Sequence, residues 1–422
     1  MNRAFGFWVV YVDLCKWLPV NKGFLPGSGQ YRAGTVCIKQ GFEPCEAILF
    51  MSKHGRVLVA MSGGIDSSVA AVMLHEQGYE VVGMTMKTWD YVSSGSTGKK
   101  ETGCCSLDSI NDARNIAVEL GFPHYILDIR NEFGDAVIDY FTNEYINGRT
   151  PNPCVMCNTH IKWDALLKRA DKLDCEFIAT GHYAHINQTD AGRYYISKGV
   201  DPYKDQSYVL WGVSQESLAR TKFPLSELTK EEIYDFARER KFTELVSKSE
   251  SYEICFVPDN DYRGFLRRRV DGLEEQVAGG EFVLEDGSVV GKHEGYPFYT
   301  VGQRKGLSIT LGYPVYVTEI RHESNQVVLG TFDELNRDGM YVKQLNMQKY
   351  ADLNGQRMDT TTKVRYKDDG TPAVIEQAGD TMKVFFGNGV SAIAPGQAAV
   401  FYEGNDVIGG GWIHSSFQQH HG

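Results

Sequence analysis

Residues 57–68 read VLVAMSGGIDSS, Val57 to Ser68. The apolar run Val57–Met61 fits a buried strand. Ser62-Gly63-Gly64 breaks it, and Asp66-Ser67-Ser68 opens a helix running through Val69, Val72, Met73 and Leu74 to Gly78. A strand, a glycine turn and a helix N-terminus together make a phosphate site. The glycines let backbone N–H groups approach an anion, and the helix dipole turns its positive end toward it. No Lys follows the glycines, so this is not a Walker A loop, and the spacing is not the dinucleotide GxGxxG. Two hydroxyls and a carboxylate surround the glycines instead. An ordinary strand–turn–helix with a Gly-Gly turn is the plainer reading.

The chain has 422 residues, enough for two or three domains with separate cores. Its 42% hydrophobic and 23% charged residues are those of a globular protein. No apolar run approaches the ~20 residues of a membrane span, so no membrane association is expected. Nine cysteines, an odd number, occur without a secretory signal. They point to a reducing, cytoplasmic setting and to catalytic or metal-binding thiols rather than a disulfide framework. The net charge of −11 favours a small-molecule enzyme. A nucleic-acid enzyme would need a local basic face on an acidic protein. The first 54 residues are net basic, so the remainder is more acidic still.

Residues 1–54 lack clear periodicity and carry Pro19, Pro26 and Pro44. They read as an N-terminal extension outside the native fold, with Met51 as the natural start; a targeting segment is the alternative. From Gly55 strands and helices alternate. Strand Val57–Met61, helix Ser67–Gln77 and strand Glu80–Lys87 lead to a Gly/Ser-rich loop, Tyr91–Gly103. Ser109-x-x-Asp112 approximates a capping box for a helix ending at Gly121. Strand His124–Ile129, helix Phe133–Tyr145, helix Thr159–Leu173 and strand Cys175–Thr180 follow. Thr229-x-x-Glu232 caps a last helix, ending at Lys241. The alternation predicts an α/β, doubly wound parallel sheet over 55–269, with ligands at the carboxyl ends of strands. Beyond 270 short strands and turn residues dominate, including Phe282–Leu284, Val315–Ile320, Val327–Gly330, Thr361–Tyr366, Met382–Phe386 and Ala398–Tyr402. These predict a small central β-rich domain over 270–325 and a C-terminal β-barrel over 326–422, both antiparallel.

Two cysteine sites stand out in the α/β part. Thr150-Pro151-Asn152-Pro153-Cys154-Val155-Met156-Cys157-Asn158 precedes a predicted helix, whose dipole would favour the Cys157 thiolate. Cys255 lies in Ser251-Tyr252-Glu253-Ile254-Cys255-Phe256-Val257. One thiolate and a distant cysteine permit persulfide or disulfide chemistry. Three cysteines permit an iron–sulfur cluster with one open iron. Zinc lacks a clear fourth ligand, and buried structural thiols are the plain alternative. Cys104, Cys105 and Cys175 read as structural. His182, after a strand end, fits a nucleotide or substrate contact as well as it fits a packed core. Lys204-Asp205-Gln206-Ser207-Tyr208 reads as a polar, substrate-contacting loop opening a strand.

At this point a family resemblance emerges. SGGIDSS resembles the loop of N-type ATP pyrophosphatases. With TPNPCVMCN, ATGHYA, KDQSY, ICFVPDNDYRGFL, YTVGQRKGL and APGQAAVFY it follows the order seen in bacterial tRNA-specific 2-thiouridylases, over Lys53–Ile413. The resemblance implies an N-type pyrophosphatase domain, a small central domain and a C-terminal, tRNA-binding barrel. It implies a transferase that uses ATP and Mg²⁺ to adenylate the C2 oxygen of the wobble uridine, position 34, and replaces it with sulfur to give 2-thiouridine, AMP and pyrophosphate. Ala60, Met61, Ser62, Gly63, Gly64, Ile65, Asp66 and Ser67, with Met86 and Gly181, would hold the nucleotide. Cys157 would be the nucleophile and Cys255 the persulfide carrier, the two forming a disulfide. Asn152, Pro153 and Cys154 would face the base; His182, Lys204, Asp205, Gln206, Arg365, Tyr366 and Gln397 would hold the tRNA. The implied partners are tRNAs for Lys, Glu and Gln and a sulfur-carrier protein or cysteine desulfurase.

One position departs from the better-known form of the family, which has Asp where Cys154 stands. Here Cys154 is a proton carrier or second redox thiol, or Cys154, Cys157 and Cys255 ligate the cluster of an iron–sulfur thiolase; a different N-type pyrophosphatase, an amidotransferase or ligase, is a separate competing reading.

Overall fold

The computed structural model describes residues 52–89, 106–247 and 254–418. These residues fall in one compact unit, Ser52–Gly422. The extension through residue 51, the loop Tyr91–Gly103, and Cys104 and Cys105 lie outside the described residues.

The predicted first strand is β1 (Arg56–Ala60), followed by helix α1 (Ile65–Glu76), β2 (Glu80–Lys87), helix α2 (Leu107–Leu120) and β3 (His124–Asp128). Two long helices cover 130–146 and 153–172, and β4 (Phe177–Ala179) follows them. The hairpin β5 (Ala184–Gln188) and β6 (Tyr194–Lys198), the short β7 (Thr221–Lys222) and helix Lys230–Glu239 complete this part. The sheet runs β3-β2-β1-β4-β7, and every pairing is parallel. Val57, Leu58 and Val59 are all buried, because helices cover both faces of the sheet. That is why β1 reads as an unbroken apolar run rather than an alternating one.

Several boundaries differ from the prediction. The cap of α2 is Ser106, whose Oγ accepts the Ser109 N–H at 3.2 Å, so the helix starts a turn before the predicted box. Gly121 ends it in the left-handed conformation, φ +76°. The Thr229 box has both of its arms, as predicted. Helix 130–146 contains a π turn, Gly134–Ile138, which the helical apolar period does not reveal. Residues 204–208 open a 3-10 turn, Ser207–Leu210, rather than a strand, because Asp205 accepts hydrogen bonds from the Ser207 N–H and hydroxyl.

The central sheet contains β8 (Glu281–Val283), β9 (Val289–Lys292), β10 (Tyr316–Arg321) and β11 (Gln326–Gly330), in the order β10-β11-β8-β9. It is mixed rather than wholly antiparallel: β11 and β8 run parallel. The barrel is built from β12 (Asn336–Met347), β13 (Arg357–Lys363), β14 (Thr371–Ala378), β15 (Thr381–Ser391), β16 (Ala398–Glu403) and β17 (Asp406–Phe417). These strands run β12-β15-β14-β13-β16-β17, and β17 pairs back with β12 to close the cylinder. Two hairpins turn on two residues each, Gly379-Asp380 and Gly404-Asn405. Among the described residues no helix is long and apolar enough to cross a membrane.

One joint was not foreseen. Hairpin β5–β6 adds to the edge of the barrel sheet, with Ser197 opposite Asp406. Gln348, wholly buried, sits behind it. Its Oε1 accepts the Ile196 N–H at 3.1 Å, and its Nε2 donates to the carbonyls of Leu210 and Trp211, both at 2.9 Å. Arg193 donates to the backbone carbonyls of Gln348 and Met347. Replacing Gln348 by Ala strands one buried N–H and removes a donor from two carbonyls. The Leu210 carbonyl keeps the Val213 N–H and the Trp211 carbonyl keeps the Asn346 amide, so the stranded Ile196 N–H sets the loss. An orphaned buried group costs about 1–3 kcal/mol, the range expected for Gln348→Ala in urea denaturation. A loss below about 1 kcal/mol would mean that the joint is not tied through this amide.

Candidate active site

In this parallel sheet the strand order reverses beside β1. The crevice at the carboxyl ends of β1 and β4 is therefore where a ligand is expected. Both predicted nucleotide loops end there. Gly63 has φ +73°, and a Cβ at that position would overlap the Ser109 backbone, so only glycine fits. Ser67 organises the turn: its Oγ accepts the Ser62 N–H at 3.0 Å, lies 3.1 Å from the Ser62 Oγ and donates to the Gly64 carbonyl at 3.2 Å. Met61 is pinned from both sides, its N–H on the Met84 carbonyl and its own carbonyl accepting the Thr85 hydroxyl, each at 2.8 Å.

Gly181 closes over the start of α1. A Cβ there would come within 2.8 Å of the Ser67 nitrogen. Asp66 faces the same corner, where its Oδ1 accepts the Tyr183 hydroxyl at 2.6 Å and the Lys230 ammonium at 2.7 Å. Neither Tyr183 nor Lys230 was selected from sequence. Lys230 carried a signal: it opens a helix, where a cation opposes the dipole. A lysine placed there against the helix field serves a partner elsewhere, and that partner is Asp66.

The cysteine segment differs from expectation in a way that changes its chemistry. The helix begins at Pro153, capped by Asn152, whose Oδ1 accepts the Val155 N–H at 3.3 Å. It continues through a π turn, Asn158–Lys162, to Lys172. Cys154 therefore occupies the first turn, and Cys157 lies a full turn further in, beyond the reach of the N-terminal dipole. Cys154 is open to solvent, whereas Cys157 is buried at 8% exposure. The protein around Cys154 raises its thiol pKa by desolvation, opposed by the charge of Lys162. Cys157 packs into a cluster with Trp89, Ile129 and Phe133 that also holds Phe256 and Val257, the two residues after the exposed Cys255. Cys154 and Cys175 are free thiols. Among the described residues no three His, Cys, Asp or Glu side chains converge on a metal position.

Several of the predicted RNA-facing residues form a polar band in which their groups bond to neighbouring backbone. Gln206 pairs with Tyr183 in both directions, its N–H on the Tyr183 carbonyl and its Oε1 accepting the Tyr183 N–H. Asp205 Oδ1 accepts the N–H groups of Gly199 and Ser207. Gln397, from the barrel, donates to the Pro151 carbonyl at 2.8 Å and so holds the cysteine loop from behind. Arg365 and Tyr366 are exposed, and the Tyr366 hydroxyl reaches the Asp205 carbonyl at 3.4 Å. Lys204 is half-buried beside them. Behind the cysteine loop a cavity of about 310 Å³ opens between the catalytic and barrel segments, lined by Tyr140, Arg149, Met156, Lys343, Trp412 and His414 among others.

Family models match the chain in three consecutive blocks. A tRNA methyl transferase HUP domain covers residues 55–259, a tRNA methyl transferase PRC-barrel domain 265–331 and an aminomethyltransferase beta-barrel domain 337–413. The tRNA-specific 2-thiouridylase MnmA of Amoebophilus asiaticus is 77% identical over 367 residues, 87% of this chain and 97% of that protein. The chain belongs to the MnmA family. MnmA of Cytophaga hutchinsonii is 73% identical, over 87% of this chain and 100% of that protein. MnmA of Salinibacter ruber is 58% identical, over 86% and 95%.

In this MnmA-family chain His182 joins the nucleotide corner to the cysteine helix. Its Nδ1 lies 2.7 Å from the Thr180 hydroxyl, and its ring is tilted against Trp163 and faces Phe223 edge-on. Burial, reinforced by the charge of Lys162, pushes its pKa down to about 3. The imidazole is therefore neutral and acts as a hydrogen-bonding group, not a cation. In the unfolded chain the same ring titrates near ~6.5. The unfolded state binds the extra proton between the two values, so the contribution of neutral His182 is complete above ~6.5 and shrinks as pH falls toward 3. Imidazole NMR of the folded protein should show no His182 titration between pH 8 and pH 5. A midpoint near 6.5 would show that the ring is not desolvated.

Proposed function

We propose that this chain is a tRNA-uridine 2-sulfurtransferase: it adenylates the C2 oxygen of uridine 34 with ATP and replaces that oxygen with sulfur. One observation carries the reading. The phosphate loop and the cysteine helix meet at two adjacent residues: Gly181 packs on the Asp66–Ser67 backbone, and the His182 ring lies against Trp163 of the cysteine helix.

ATP, with its Mg²⁺, enters as substrate on Ala60–Ser67, with Met86 and Gly181 beside it. Backbone N–H groups at the start of α1 stabilise the pyrophosphate that departs. The uridine C2 oxygen attacks the α-phosphorus, pyrophosphate leaves, and the N3 proton passes to solvent. Cys255, exposed, accepts a sulfane sulfur from the persulfide of a cysteine desulfurase or sulfur-carrier protein. Its terminal sulfur bonds to C2 and expels AMP. The Cys157 thiolate then attacks the Cys255 sulfur, which releases the thiocarbonyl and leaves a Cys157–Cys255 disulfide for a thiol reductant to reopen. The shared cluster around Phe256 supports this pairing. Cys154, whose thiol pKa is raised, stays protonated at neutral pH and faces the base as a donor, with Asn152 and Pro153. The tRNAs for Lys, Glu and Gln and a reducing, cytoplasmic setting complete the reading.

The test is ATP-dependent thiolation of an unmodified tRNA transcript carrying U34, with a persulfide donor. Cys157→Ser and Cys255→Ser are each expected to lower thiolation by roughly 10³-fold or more, while one round of tRNA-dependent pyrophosphate release persists. Undiminished thiolation by either variant would remove the relay. Pyrophosphate release that answers to a small carboxylate and ignores tRNA would favour a ligase instead.

A further inference from the structure

Two lysines that no predicted motif contains approach one ring, Tyr402, where the catalytic hairpin joins the barrel. Lys198 ends β6, on the catalytic side, and Lys363 ends β13, in the barrel. Both ammonium groups face the ring of Tyr402, at 4.8 Å and 5.9 Å from its centroid. Tyr402 is fully buried, with its hydroxyl 3.1 Å from the Ser207 Oγ, so the ring is a fixed platform. The Lys198 backbone is fixed as well, its N–H on the Asn405 carbonyl at 3.0 Å.

Like charges placed together repel, and the ordinary remedy is an intervening carboxylate. None is supplied: among the described residues neither lysine forms an ion pair. Asp205 favours the charged form of Lys198 from a distance, and its oxygens already accept hydrogen bonds from Gly199 and Ser207. Burial and the charge of Lys363 both work against the charged form of Lys198. Beside the pair stand the exposed Arg365 guanidinium and the Tyr366 ring, 43% exposed, a cation and a stacking face of the kind that single-stranded RNA uses.

We propose that Lys198 and Lys363 clamp one phosphodiester of the bound tRNA, in the anticodon-loop backbone next to the nucleotide that meets Tyr366. This rests on the thiolation reading and names a contact that the reading does not. The anion bridges the two ammonium groups and relieves their repulsion, so the site is poised for a ligand that the free protein lacks. On a chain with a net charge of −11, such a pair weighs more than it would on a basic protein.

The full chain with Lys198→Gln, Lys363→Gln and both together is compared with wild type in filter binding of an unmodified tRNA transcript across a KCl series. Each variant is expected to bind roughly tenfold more weakly near 0.1 M salt, with the slope of log K against log salt shallower by ~0.7–0.9, the value of one phosphate. The double variant should add little, since both lysines hold the same anion. Thermal midpoints should hold or rise, because removing one of two like charges relieves repulsion, and Lys→Arg at both positions should restore binding. ATP affinity should not change. Loss of ATP affinity would assign the pair to a nucleotide phosphate, and a lowered midpoint that Arg does not restore would make the lysines structural; either result overturns the RNA clamp. Equal binding by variants and wild type overturns it too, and leaves the thiolation reading standing. A wild type that binds no tRNA sinks that reading, and the clamp with it.

Discussion

A single buried amide holds the two halves of the active surface in register. Gln348 has no access to water, and it satisfies an N–H in the catalytic hairpin and two carbonyls in the segment after the 204–208 loop. Around it Asn346 donates to the Trp211 and Val213 carbonyls, and Gly410 lets the barrel backbone approach the Trp211 ring, where a Cβ would come within 2.7 Å. Buried polar groups in such a joint must all be paired, since each one left alone costs more than a hydrogen bond gains. The arrangement fixes where Tyr402, Lys363 and Arg365 stand relative to Lys198 and Asp205.

The catalytic corner obeys a similar constraint. Met61 is held by backbone and hydroxyl contacts, Ser67 threads the glycine turn, and Lys230 reaches from a separate helix to hold Asp66. An adenylated uridine is vulnerable to water, so the site must be rigid and partly closed before sulfur arrives. Cys157 is buried in the same cluster as Trp89, Phe133 and Phe256, so its side chain meets little solvent.

Most of the α/β sheet was legible in the sequence because its strands are buried on both faces and its turns use glycine. The order of the barrel strands and the hairpin β5–β6 were not, because pairing partners far apart in the chain leave no local period. The same limit explains Lys198, Lys363 and Tyr183, which look like ordinary surface or strand residues until the fold joins them. Cys157 shows a different failure. The helix was expected to begin after it, at Thr159, whereas Asn152 and Pro153 make a sound N-terminus six residues earlier. The dipole therefore acts on Cys154, the position where this chain departs from the family's better-known pattern. Thr229, by contrast, was read correctly from four residues, since a capping box is a local interaction.

The strand ladder between β6 and β17 also sets the mechanics of recognition. A domain linked by a loop can swing around its substrate; one linked by strand pairing, by the Ser197–Asp406 hydrogen bond and by a buried amide moves as a single plate with its neighbour. The distance from the phosphate loop to the barrel is then a fixed gauge.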